Sequence, residues 1–303
     1  MIPLAGIIAS MPTPFDARGG LDVDALAREL VHQVRTGVHG VCVLGGTGEF
    51  FSLAGGERVR VVEAAAKARR SAGARGPLVV GNFLSDEGAW AELSEAARSL
   101  GAAAVMVAPP PFYHATRRQF ASLLERLARR SPTPIVVFNT PGRSGVRLSA
   151  SDLEEIVRAV PAVVGIKDSS ADVTLLAQAS RAFGSGCALL QGNDDLYVPS
   201  LAVGCAGGIL AMAAVFPEVF QRMQAAWEAR RIDEATRLQL ALLPVLEIVN
   251  GEPMPVLVKA AMDIVGRPVG GVRPPLSPEA PEARLALEIA VARFVAELDR
   301  LAA

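Results

Sequence analysis

Eight short runs rich in β-branched and other apolar residues recur along this chain, each followed by a longer stretch with helical periodicity. The runs are Gly6 to Ala9, Gly40 to Leu44, Leu78 to Gly81, Ala104 to Val107, Ile135 to Phe138, Val163 to Ile166, Ala188 to Leu190 and Gly208 to Ala211. Such alternation builds a parallel sheet, because parallel neighbours need a long crossover and a helix is the usual one. Eight repeats suit a sheet closed on itself, so the predicted fold class is α/β, a (β/α)8 TIM barrel. Only helical patterns follow the eighth run, roughly Pro217 to Arg230, Ile232 to Val249, Pro255 to Val265 and Pro278 to Leu301. The expected organisation is therefore a barrel carrying the active site over residues 1–231 and a C-terminal helical extension over 232–303.

Composition narrows the partners. Hydrophobic residues make up 51% and charged ones 20%, enough for a filled core. With 30 Lys plus Arg against 31 Asp plus Glu there is no basic field to hold a polyanion, so nucleic acid is not expected as a partner. The uncharged stretch from Leu196 to Pro217 is long enough to cross a bilayer, but Pro199 and several glycines interrupt it. It reads as a helix, a turn and a strand buried on both faces, and no membrane partner is expected. Cys42, Cys187 and Cys205 are widely spaced and odd in number, which fits reduced thiols in the cytoplasm better than a disulfide framework. Met1 to Ala9 is apolar without a leading positive charge, unlike a secretory signal. His32, His39 and His114 form no metal-binding spacing with carboxylates or cysteines, so no metal is expected.

In a barrel of this kind the catalytic groups stand just after the strands, at their C-terminal ends. The chain places Gly45-Gly46-Thr47-Gly48-Glu49 after the second run and Pro109-Pro110-Pro111-Phe112-Tyr113 after the fourth. Asn139-Thr140-Pro141-Gly142-Arg143-Ser144-Gly145 follows the fifth, Lys167-Asp168-Ser169-Ser170 the sixth, and Gly192-Asn193-Asp194-Asp195 the seventh. Lysine is rare here, at positions 67, 167 and 259 alone. Lys67 falls among Arg69 and Arg70 on a polar helix face, and Lys259 in a C-terminal helix, whereas Lys167 ends an apolar strand. Desolvation there favours the neutral amine, which can attack a ketone and form a Schiff base. Position alone leaves open a second reading, a lysine that snorkels to solvent or pairs with Asp168. The turn at Gly46, Thr47 and Gly48 offers backbone amides and a hydroxyl to a carboxylate, and Arg143 offers a bidentate contact to a second acidic group. A tight turn and a solvated arginine are the plainer alternatives. Ser169, Asn139 and the Asn193-Asp194 turn are candidate selectors of the distal substrate end, although capping and turn formation explain Ser169 and Asp194 as well.

Taken in order, these motifs resemble the dihydrodipicolinate synthase and N-acetylneuraminate lyase superfamily of Schiff-base barrels. The resemblance rests on Gly45 to Glu49, the Pro-Phe-Tyr ending at Tyr113, Phe138-Asn139-Thr140-Pro141 with Arg143 and Gly145, Gly165-Ile166-Lys167-Asp168, Gly207-Gly208-Ile209, Lys259-Ala260-Ala261 and Gly271 to Leu276. It implies that Lys167 forms a covalent imine with a small 2-oxo acid, so that no cofactor is needed. It also implies that Thr47 and its neighbouring amides hold the acid's carboxylate, that Phe138 and Ile209 line the substrate, and that the protein is a homotetramer, a dimer of dimers. Tyr113 is then a second catalytic residue, projecting into a neighbouring subunit's site.

Two departures bear on the reaction. The family usually carries a proton-shuttling tyrosine where this chain has Phe138, and its synthase branch carries a hydroxyl residue where this chain has Gly46. A phenyl ring has no proton to give, and proton transfer commonly contributes about 10²–10⁴-fold. The run from Gly45 to Leu53 is similar to 5-dehydro-4-deoxyglucarate dehydratase. The expected activity is a lyase, an aldolase or dehydratase acting on a 2-oxo-3-deoxy sugar acid or similar. Two alternatives are a 4-hydroxy-tetrahydrodipicolinate synthase and a 2-oxo acid binder with little turnover.

Overall fold

The structure is a computed structural model that describes residues 3–111, 113–184 and 186–302. Eight strands pair in sequence order and close into a barrel: β1 (Gly6–Ser10), β2 (Gly40–Val43), β3 (Leu78–Gly81), β4 (Ala104–Val107), β5 (Ile135–Asn139), β6 (Val163–Asp168), β7 (Ala188–Gln191) and β8 (Gly207–Leu210). The helices are α1 (Val23–Arg35), α2 (Gly55–Ser71), α3 (Glu87–Ser99), α4 (Arg117–Arg130), α5 (Pro141–Ser144), α6 (Ala150–Ala159), α7 (Val173–Phe183), α8 (Tyr197–Ala202), α9 (Pro217–Glu228), α10 (Ile232–Val249), α11 (Val256–Ile264) and α12 (Pro281–Ala302). This is the (β/α)8 barrel with a C-terminal helical region that the alternation predicts.

The uncharged stretch after Leu196 folds as α8 and β8, and among the described residues no helix is long and apolar enough to cross a membrane. All three cysteines are buried.

One boundary matters for chemistry. The apolar run predicts that the sixth strand ends at Ile166, yet β6 continues through Lys167 and Asp168. Its ladder carries on past the apolar residues, pairing Phe138 with Lys167 and Asn139 with Asp168 on one side, and Lys167 with Leu190 and Asp168 with Gln191 on the other. The β5–β6 register shifts between Ile135 and Val136, which pair with Val163 and Gly165, so Val164 is an extra residue. Such a bulge re-aims every side chain beyond it.

The chain divides into two compact units. The first comprises Met1–Ile8, His39–Cys42 and Arg75–Leu210. Its core gathers Ile8, Cys42, Val79, Met106, Val136, Phe138, Leu190 and Ile209 among others, all inward-facing on the strands. Each large apolar side chain removed from water contributes about 1.5–3 kcal/mol, so this filled interior fixes the strand ends that carry the site. Asp86 caps α3 by accepting from the amide of Ala89 at 2.7 Å.

The second unit comprises Ala9–Val38, Val43–Ala74 and Ala211–Ala303. Asp22 caps α1 through the amide of Ala25 at 2.8 Å. Arg267 pairs with Glu29 at 2.7 Å and donates to the carbonyls of Ala214, at 3.0 Å, and Val215. That arginine ties α1 to the turn after β8. Phe216 and Phe294 meet edge to face at 5.1 Å, seating α12.

Candidate active site

Lys167 is buried, with only 7% of its surface exposed. Cross-strand pairing sets Phe138 beside it, and its ammonium nitrogen lies 4.5 Å from the centre of the Phe138 ring. Burial is the main force on the amine, and the Arg143 charge acts the same way, against smaller opposing effects of Cys42 and Asp194; together they bring its pKa down to about 8. At neutral pH roughly one molecule in ten then carries the nucleophilic amine, against fewer than one in a thousand for an ordinary lysine. Gly192 makes the space: a Cβ there would fall 2.8 Å from Lys167 Cε and 2.1 Å from Ser169 Oγ.

Both plainer readings of Lys167 fail on geometry. It does not snorkel, and Asp168, the next residue on the strand, projects to the opposite face. Asp168 Oδ2 accepts from Asn139 Nδ2 at 2.6 Å, and its Oδ1 accepts from the Ser170 amide and hydroxyl at 3.0 and 2.7 Å. Burial pushes the Asp168 carboxyl up, while the bonds from Ser170 and Asn139 draw it down.

The other sequence-predicted residues sort by strand face. Phe138 and Ile209 share the apolar barrel interior. Asn139, fully buried, lies on the other side of β5 from Phe138, and its amide is committed to Asp168 and to both backbone groups of Leu148 at 3.4 Å. It frames the strand ends rather than facing the Lys167 side. The Ser169 amide donates to the Asn139 carbonyl at 2.8 Å. Arg143 stands on α5 with an exposed side chain, and Asn193 donates its amide to Gln191 Oε1 at 2.9 Å. Tyr113 is 78% exposed; its neighbour Phe112 lies outside the described residues.

In the second unit, the turn after β2 leaves part of its hydrogen-bonding capacity unused. Gly48 and Glu49 donate their amides to the carbonyls of Gly45 and Gly46 at 3.1 and 3.2 Å. The amides of Gly46 and Thr47 take no acceptor among the described residues. Thr47 is buried, its Oγ1 accepting from Ser10 Oγ at 3.3 Å, while a side chain at Gly46 would meet open space. Two unspent amides and a hydroxyl in one turn suit a carboxylate.

The dihydrodipicolinate synthetase family profile matches residues 3–293. The chain belongs to this family of lyases. It is 33% identical to a protein named 4-hydroxy-tetrahydrodipicolinate synthase from Sorangium cellulosum, over 98% of each chain. Among solved structures it is similar to a dihydrodipicolinate synthase from Bacillus anthracis, with 28% identity, a TM-score of 0.90, and 96% and 99% of the two chains covered. It is equally similar in fold to a dihydrodipicolinic acid synthase family protein from E. coli K12 solved in complex with pyruvate, with 26% identity, a TM-score of 0.90 and the same coverage.

The structure also shows features that sequence reading misses. Cys42 shares the barrel interior with Phe138, and Gln191 Oε1 holds the Gly192 and Asn193 amides at 2.8 and 2.9 Å, fixing the turn that clears space for Lys167. A glutamine ending an apolar strand just before a glycine is the available signal. Glu49 reads in sequence as one more turn residue, and its real partner is more than two hundred positions away.

Proposed function

We propose that this protein is a Schiff-base lyase acting on a small 2-oxo acid, with Lys167 as the nucleophile and no cofactor. The observation that carries the reading is a buried amine, lowered to about 8, that faces an aromatic ring and stands in no ion pair among the described residues. The neutral amine adds to the ketone carbon, water leaves, and the resulting iminium draws electrons from the adjacent carbon. Loss of a proton from that carbon gives an enamine, which expels the β-hydroxyl as water with an added proton and leaves a conjugated iminium; alternatively the bond to the next carbon breaks as the hydroxyl there loses its proton and departs as an aldehyde, and the enamine left behind takes a proton to return to the iminium. Hydrolysis then frees the product and restores the amine. Thr47 with the Gly46 and Thr47 amides is the proposed seat of the substrate carboxylate, and Arg143 the partner of a distal acidic group.

With Phe138 in place of a phenol and Gly46 in place of a hydroxyl residue, this reading favours an aldolase or dehydratase of a 2-oxo-3-deoxy sugar acid. A 4-hydroxy-tetrahydrodipicolinate synthase is the second reading, supported by the name of the Sorangium relative. The exposure of Tyr113 supports a homotetramer in which a neighbouring copy covers it.

Borohydride reduction in the presence of pyruvate, read by intact mass, tests the central step. A single adduct that disappears in Lys167→Ala is expected, and an adduct that persists rejects the assignment. Turnover of 2-oxo-3-deoxy sugar acids separates the lyase from the synthase, and trapping without turnover marks a binder.

A further inference from the structure

A buried ion pair in the second unit has no part in the chemistry of Lys167. Glu49 Oε1 lies 2.6 Å from Lys259 Nζ, and both side chains are almost wholly out of solvent. Net stability is a weak reason to keep such a pair, since well-packed apolar residues do as well. Its surroundings point to a different purpose. Glu49 has a left-handed backbone, φ +52°, which a residue with a side chain adopts only when its environment holds it there.

The hold is built from the C-terminal segment. Glu49 Oε2 accepts from the Arg273 amide at 2.9 Å, and Lys259 donates to the Gly271 carbonyl at 2.6 Å. Lys259 and Arg273 lie over the same Phe15 ring, at 4.2 and 4.1 Å. Gly270, at φ +74°, allows this approach, because a Cβ there would fall 1.9 Å from the Phe15 carbonyl oxygen. Arg273 also closes on Glu57 with bonds of 2.8 and 2.7 Å. Thr13 Oγ1 donates to the Gly48 carbonyl at 2.6 Å, bracing the same turn from the other side. Thr47 and the two unspent amides precede Glu49 in this turn, with only Gly48 between.

We propose that Glu49 is a positioning residue: its ion pair with Lys259 fixes the Gly45–Glu49 turn in the conformation that takes the substrate carboxylate, so that α11 sets affinity for 2-oxo acids. This rests on the Schiff-base reading above. An apolar pair would fill the same volume, but only a charged carboxylate can engage the ammonium and the Arg273 amide together and so pin the backbone at one φ.

The test compares borohydride trapping of pyruvate with trapping of acetone, a ketone without a carboxylate, in the full chain. In Glu49→Gln the half-saturating pyruvate concentration is expected to rise at least tenfold, with the rate at saturating pyruvate and the rate with acetone each within about twofold of the unaltered protein. Should the single variant not fold, Glu49→Gln combined with Lys259→Met removes both charges and is expected to show the same split. An unchanged half-saturation in either folded variant overturns the proposal, as does an equal loss with pyruvate and acetone, the mark of general loosening. No adduct in the unaltered protein rejects the Schiff-base reading and this proposal with it; an adduct with unshifted saturation rejects this proposal alone.

Discussion

Two lysines in this chain are buried over aromatic rings, and they differ in what stands beside them. Lys167 lies 4.5 Å from the Phe138 ring and Lys259 lies 4.2 Å from the Phe15 ring, each with less than a tenth of its surface exposed. Burial lowers the pKa of both. The difference is a single carboxylate: Glu49 stands 2.6 Å from Lys259 and supports its charge, while Lys167 takes no ion pair among the described residues. Desolvation alone leaves an amine ready to react, and desolvation with a counter-charge leaves a structural pin.

The largest expected effect separates their chemistry. At saturating pyruvate, Lys167→Ala loses the reduced adduct altogether and Lys259→Met keeps it, as intact mass would show; adduct loss in both would erase the distinction. Stability should then respond with opposite signs. Lys259→Met strands the Glu49 charge and is expected to cost about 3–5 kcal/mol in urea unfolding at pH 7, most of it regained when Glu49→Gln is added. Lys167→Met is expected to stabilise, by up to about 3 kcal/mol at pH 7. The sign follows from a folded pKa below the unfolded one: the penalty of the charged amine is whole below about 8 and fades as pH rises to the ordinary lysine value of 10.5. A loss of stability in Lys167→Met would show that its charge is compensated after all.

The rings give a smaller contrast. Phe138→Tyr places a phenol beside the reactive amine and is expected to raise pyruvate-dependent proton exchange about tenfold to a hundredfold, whereas Phe15→Tyr leaves exchange unchanged. Smallest is the pH effect. The trapping rate at saturating pyruvate should climb roughly tenfold from pH 7 to a plateau above about 8, and a flat profile would put the amine's pKa elsewhere.

Much of the barrel is legible in the sequence because buried parallel strands must be continuously apolar, and the eight runs show it. Strand ends are less legible. Lys167 and Asp168 belong to β6 although nothing apolar marks them, since the ladder that holds them is supplied by Phe138, Asn139, Leu190 and Gln191 on neighbouring strands. The directions of Lys167 and Asp168 are hidden too, because the extra residue at Val164 shifts the alternation of β6 relative to β5. Lys167 stands out because a lysine is rare in this chain and rarer still at the end of an apolar run. Glu49 and Lys259 do not, because only folding brings a turn residue and a late helix together. Helix starts show the same limit on a small scale. α2 begins at Gly55, with the Glu57 carboxylate reaching back to accept from the Ala54 amide at 2.9 Å, although two glycines in its first turn give no helical signal.

The bare position at Gly192 has an evolutionary consequence. Any side chain acquired there would collide with the stem of the reactive amine and the backbone behind it, so the codon is closed to drift whatever substrate the lineage comes to prefer. Gly46 is the opposite case: a Cβ there meets nothing within 4 Å, so a side chain can be added beside the proposed carboxylate seat without a clash, and a laboratory selection for new substrates should find its first gains there.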